Sequence, residues 1–103
     1  MWPMRNVLKR IQDWYETNCD DDWEHSYGVV IETLDNPGWA VRVDLADTYL
    51  ETVEFQPVEY QNEDEDDWIN CKKSETKFEG FGGPQKLEEL LRIFLAWAEK
   101  YVR

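Results

Sequence analysis

One hundred and three residues, 42% of them hydrophobic and six of them Trp, fit a single domain over residues 1–103, with a small core and no room for a second. Sixteen of the 23 acids fall within residues 20–67 against one base, Arg42, so that stretch carries −15 and the remainder +3, for a net charge of −12. This balance repels DNA, RNA and anionic membranes and attracts basic proteins.

The acids are interleaved with Trp23, Tyr27, Val29, Ile31, Trp39, Val41, Val43 and Phe55. A disordered acidic tail lacks such residues, so the charge rides on a folded segment. The longest apolar run, residues 90–98, is interrupted by Arg92 and is too short for a signal peptide or membrane span. A cytoplasmic protein is therefore expected.

In chain order, Val7, Leu8, Ile11, Trp14 and Tyr15 recur at helical spacing and predict a helix over residues 3–17. Pro3 suits its first turn, where a missing N–H costs nothing. The carboxylates of Asp20, Asp21 and Asp22 oppose the negative end of the helix dipole and mark its stop. From Ser26 to Leu45 the period changes to two, broken by Asp35-Asn36-Pro37-Gly38, where Pro presets φ and Gly is expected to take a positive φ. Trp39, Val41, Val43 and Leu45 should share one face of the second strand of this hairpin; Ala40, Arg42 and Asp44 should share the other.

A third strand is predicted within residues 51–60, with Val53 and Phe55 on one face and Pro57 making it an edge strand or marking a bulge. Residues 61–66 read as a solvated loop. Two further strands, about 67–72 and 77–81, are joined by a turn at Ser74-Glu75. Gly80-Phe81-Gly82-Gly83-Pro84 stops the last strand before a closing helix with its apolar stripe on Leu87, Leu90, Leu91, Phe94, Ala98 and Tyr101, flanked by Leu95 and Trp97. Glu88 and Glu89 at its start and Lys100 and Arg103 at its end suit the helix dipole. The fold class is α+β: a helix, an antiparallel β-meander of four to five strands, and a helix, with both helices on one sheet face and the other face open to water or a partner.

Several groups could carry chemistry. Asp20-Asp21-Asp22-Trp23-Glu24-His25 offers the residue types of a hard-metal or general-base centre, but its spacing matches no calcium loop, and a lone His excludes a multi-histidine site. A small metal-binding protein or hydrolase built on this cluster is the alternative to a binding role, and calorimetric titration with divalent cations discriminates the two. His25 reads as a loop residue bonded to a neighbouring carboxylate. Trp23 either caps the core or anchors an interface. The Gly80–Lys86 run lacks the P-loop ending and spacing, so a sharp strand-to-helix turn accounts for it. The 63–67 acidic run is a solvated loop or a steering patch. Cys19 and Cys71 are expected to be free, with no metal-type spacing. No catalytic set, metal site or cofactor is assigned, and the chain does not read as an enzyme.

Leu8-x-x-Ile11-Gln12-Asp13-Trp14-Tyr15, Trp23-Glu24-His25-Ser26-Tyr27-Gly28, Leu34-Asp35-Asn36-Pro37-Gly38-Trp39, Asp67-Trp68-Ile69 and Phe78-Glu79-Gly80-x-Gly82-Gly83-Pro84 together resemble the bacterial immunity protein 53 family, over about residues 8–99. The resemblance implies an antitoxin of a polymorphic toxin system, acting by stoichiometric binding to a cognate toxin. With the charge pattern, it leads to an expected basic toxin partner, of nuclease type, with no nucleic acid or membrane partner. The expected binding surface comprises Asp20, Asp21, Asp22, Trp23 and Glu24, with Glu32, Arg42 and Asp44 on the open sheet face.

Overall fold

The computed structural model describes residues 6–101, and its first helix opens at Asn6, whose Oδ1 accepts from the Leu8 N–H at 2.7 Å. This side-chain cap satisfies an otherwise orphaned donor. The expected roles of Pro3 and Arg103 lie outside the described residues. Helix α1 (Val7–Asn18) buries Val7, Ile11 and Trp14. Leu8 and Tyr15, expected on the same stripe, are exposed, because the buried stripe is narrower than the run of apolar residues. The helix ends at Cys19, whose backbone is extended.

A single turn, α2 (Trp23–Ser26), leads into β1 (Val29–Leu34) and β2 (Gly38–Asp44); β3 (Val58–Gln61), β4 (Trp68–Ser74), β5 (Lys77–Gly82) and α3 (Leu87–Ala98) follow, with a 3₁₀ turn at Glu99–Tyr101. The expected α+β architecture is present: in chain order, a helix, the strands of a five-stranded antiparallel sheet, and a closing helix. Its spatial order is β1-β2-β5-β4-β3. The chain leaves β2, passes the ends of β5 and β4, and returns from the far edge so that β5 closes against β2.

The register sorts residues by face. Ile31, Val41, Gly80, Cys71 and Val58 are directly opposite one another across all five strands, on the side that the helices cover. Glu32, Ala40, Phe81, Asn70 and Glu59 form the neighbouring row on the open side. Gly80 and Gly82 lie beneath Leu90 of α3: a Cβ at Gly80 would meet Leu90 Cδ2 at 3.3 Å, and one at Gly82 would meet Lys86 Cβ at 2.9 Å. The absence of two side chains lets α3 settle onto the middle of the sheet. Leu90, Leu91, Phe94 and Leu95 are thereby almost completely buried. Leu95 and Trp97, expected only to flank the stripe, are buried with it, whereas Tyr101 is exposed. Edge-to-face and tilted ring contacts run through the core from Trp23 to Trp14, Phe94, Phe78, Phe55 and Trp97, with centroids 5.0–6.0 Å apart.

Three expectations are corrected. Residues 51–57 are not strand; β3 begins only at Val58. The carbonyls that a strand would offer to a neighbour are taken by side chains instead. The Lys73 ammonium donates to the carbonyls of Leu50, Glu51 and Val53 at 3.2, 2.7 and 2.7 Å, and the Trp97 indole N–H donates to that of Glu54 at 3.0 Å. The segment becomes a wedge that drives Leu50 and Phe55 into the core. Gly38, the second correction, has no positive φ and is the first residue of β2. It must be glycine because of a close approach: a Cβ there would lie 2.4 Å from the Gly82 carbonyl oxygen. The β4–β5 turn likewise shifts by one residue, with Glu75 in the left-handed region at φ 54° and Ser74 still paired.

Gly38→Ala should therefore cost about 2–3 kcal/mol, since backbone must move. Gly28→Ala, with nothing within 4 Å of its Cβ and no positive φ, should stabilise by about 0.5 kcal/mol. Urea titration of the two variants measures both.

Candidate partner-binding surface

The 20–24 turn is built by its own carboxylates. Asp20 Oδ1 accepts from the N–H groups of Asp22 and Trp23 at 3.0 and 2.9 Å. Glu24 reaches back, its Oε1 accepting from the Asp20 N–H and its Oε2 from the Asp21 N–H, both at 2.9 Å. Backbone N–H donors, first its own and then those of Asp20 and Asp21, hold the Glu24 carboxyl below the usual range, with a contribution from His25. Asp21 sits at φ 76°, an uncommon conformation for a residue other than glycine. The result is a fixed turn that carries Asp20, Asp21 and Asp22 on the surface.

Trp23 lies beneath this turn and is only 4% exposed. Its indole N–H donates to the Ala46 carbonyl at 2.9 Å, and its ring contacts those of Trp14, Tyr15 and Tyr27. Of its two sequence readings, the structure takes the core cap; Trp23 supports the acidic turn from below instead of presenting a ring to a partner. His25 is exposed, and among the described residues its imidazole bonds to no carboxylate, contrary to expectation; its backbone N–H donates to the Asp22 carbonyl. The Glu24 oxygens and one of Asp20 point into the turn, and among the described residues no three His, Cys, Asp or Glu side chains are grouped to hold a metal ion.

The other three proposed residues share the open sheet face, but their charges are matched there. Arg42 pairs with Glu32 and lies over the Phe81 ring, 5.6 Å from its centroid. Asp44 pairs with Lys77 at 3.1 Å and accepts from the Gly28 N–H at 2.9 Å. Arg42 is thus the organising residue of this face, linking an acid on β1 to a ring on β5. The strand register places Glu79 and Lys72 in the same row as Arg42. Acids and bases are nearly balanced across the open face, and the excess negative charge resides in the turns.

Those turns lie at opposite ends of the sheet. The 20–24 turn adjoins the start of β1 and, through Ala46, the end of β2. The 62–67 loop joins β3 to β4 at the other end, as does Asp35 between β1 and β2. Asp67 is set apart from its acidic run: it pairs with Lys86 at 2.6 Å and accepts from the Asn62 amide at 2.7 Å. The Lys86 ammonium, then the Asn62 amide, hold its carboxyl below the usual range. Glu63, Asp64, Glu65 and Asp66 stay exposed.

Both cysteines are free, as expected. Burial pushes the Cys71 thiol up to about 12, which makes it an inert core residue. No helix among the described residues is long and apolar enough to cross a membrane.

Comparison with known protein families places the chain. The family model described as Immunity protein 53 matches residues 8–99. The chain belongs to the Immunity protein 53 family. No curated protein and no solved structure matches it. The match spans α1 from its second residue, the acidic turn, the whole sheet and α3. An immunity protein neutralises a toxin, and a toxin is accordingly the partner of this one.

Glu24 offers a direct test of how the acidic turn is held. A carboxyl whose native pKa is depressed contributes stability that is present above the ordinary Glu range and lost as the pH falls through the native value. Glu24→Gln should therefore melt below the parent chain at pH 7, and the gap should close on acidification. Thermal melts of both chains between pH 7 and pH 3 check this.

Proposed function

We propose that this immunity protein neutralises a basic, nuclease-type toxin by stoichiometric binding in the cytoplasm, without turnover, and that the fixed acidic turn at residues 20–24 forms part of the contact surface. A nuclease cleft collects Lys and Arg around the phosphates of its substrate, and an ordered set of carboxylates is complementary to such a cleft. The observation that carries this reading is the turn itself. Three exposed Asp residues stand on a framework that spends two further carboxylate oxygens and a buried Trp on holding them in place. A stretch kept acidic for solubility alone needs no such framework.

Glu32, Arg42 and Asp44 take a different part. As matched pairs on the open sheet face they add little net field, and they supply directional polar contacts beside Val30 and Phe81. Long-range attraction comes from the turns, and final affinity from whatever packs against the sheet.

The partner to test is the carboxy-terminal domain of the protein encoded directly upstream. Changing Asp20, Asp21 and Asp22 together to Asn keeps acceptor oxygens in the turn while removing three charges. Association with that domain, followed by stopped-flow fluorescence, should slow roughly ten-fold at low ionic strength and converge with the parent rate as salt is raised. Equal rates and equal salt dependence for the two chains would refute a role for the turn.

A further inference from the structure

The two edges of the sheet are protected to different degrees. At one edge, β3 is four residues long, starts directly after Pro57 and carries Glu59 outward. Short length, Pro and charge are the usual means of blocking strand addition. At the other edge, β1 has six residues, Val-Val-Ile-Glu-Thr-Leu, paired with β2 in unbroken register, with no Pro, Lys or bulge. Val30 and Ile31 are 48% and 40% exposed although they lie on opposite faces of the sheet. Helix α3 packs over β2 and β5, so its cover ends before β1.

The direction of each backbone group follows from the register. The Asp44 N–H donates to the Gly28 carbonyl at 3.0 Å, and the pairs Val30–Arg42, Glu32–Ala40 and Leu34–Gly38 continue that phase. Val29, Ile31 and Thr33 therefore aim their N–H and C=O groups away from β2. Among the described residues, no strand receives them.

We infer that the outer edge of β1 is a strand-addition site that accepts an extended, Lys- or Arg-bearing segment of the toxin. Backbone bonds to Val29, Ile31 and Thr33 hold that segment, apolar side chains cover Val30 and Ile31, and basic ones pass the acids. This inference rests on the toxin-binding reading above and specifies how contact is made. Charge selects the occupant. The chain has no Lys or Arg between Arg10 and Arg42, while β1 carries Glu32 and is bounded by Asp20, Asp21 and Asp22 before it and by Asp35 after it. A second copy of this chain, at −12, would bring Asp35 toward the other copy's acidic turn with no base from this stretch to answer it. A basic segment meets acids at the middle and at both ends.

Amide hydrogen exchange read by NMR, residue by residue, tests the proposal on the full chain, free and mixed with the upstream-encoded carboxy-terminal domain. The Val29, Ile31 and Thr33 amides should exchange quickly in the free chain and slow on the order of 100-fold or more in the complex. Ile31→Pro adds a second arm, since it removes an outward donor without taking a bond from the β2 pairing. It should weaken binding on the order of 100-fold, with the Val30 and Glu32 amides still protected. Should that variant unfold, exchange in the parent complex decides alone. A complex in which all three amides exchange as in the free chain overturns strand addition and leaves toxin binding standing. Absence of any complex overturns the toxin-binding reading, and strand addition falls with it.

Discussion

Helix α3 rests on the sheet at glycines, and the rest of the molecule is arranged around that contact. With no Cβ at Gly80 or Gly82, Leu90 lies close against β5, and the helix is seated over β5 and β2. Burial of Leu90, Leu91, Phe94 and Leu95 follows, each apolar side chain contributing about 2 kcal/mol when fully removed from water. The same closeness draws in Gly38 and Gly83. A Cβ at Gly83 would lie 1.8 Å from the Asp66 carbonyl oxygen, so the 62–67 loop is packed directly on the strand-to-helix turn. Lys86 then fixes that loop through Asp67. One helix placed centrally in a five-stranded sheet leaves an edge uncovered, and the other elements divide the remaining perimeter. Helix α1 packs beside α3, and the 45–57 segment closes the side where Phe55 meets Trp97.

Polar groups at the margin of the core are used as fasteners for irregular chain. Lys73 gathers three carbonyls, Trp97 a fourth, and the Tyr49 hydroxyl links Trp14 to the Ala98 carbonyl. Each bond satisfies a main-chain or aromatic group that would otherwise be costly to bury. The negative charge is handled in the opposite manner. Its excess stands in turns at the two ends of the sheet, where water solvates it, and on the open face Glu32 and Asp44 are each matched by a base.

The strand hairpin at residues 29–44 was legible because side-chain period and turn chemistry agree there. The closing helix and the antiparallel sheet were legible for the same reason. Residues 51–57 were not, since alternation at Val53 and Phe55 looks like a strand whichever group takes the backbone carbonyls, and Lys73 lies some twenty positions away. The need for glycine at position 38 was visible, but its cause was not, because the Gly82 carbonyl becomes its neighbour only when β5 returns to pair with β2. Asp20, Asp21 and Asp22 are exposed, as a run of unpaired carboxylates in the sequence already requires. Trp23 is turned inward because Trp14 and Ala46 supply an aromatic and a hydrogen-bonding partner that lie outside its local sequence. The matching of Glu32 by Arg42 could have been anticipated from a hairpin register, which sets them diagonally across two strands.

The unequal edges bear on valency. A sheet with two open edges can add a neighbour at each and grow into a ribbon, which is the route to fibres. Here the β3 edge is short and opens at a Pro, which leaves β1 as the one edge suited to addition. A segment added there, as proposed above, would complete the sheet rather than extend it.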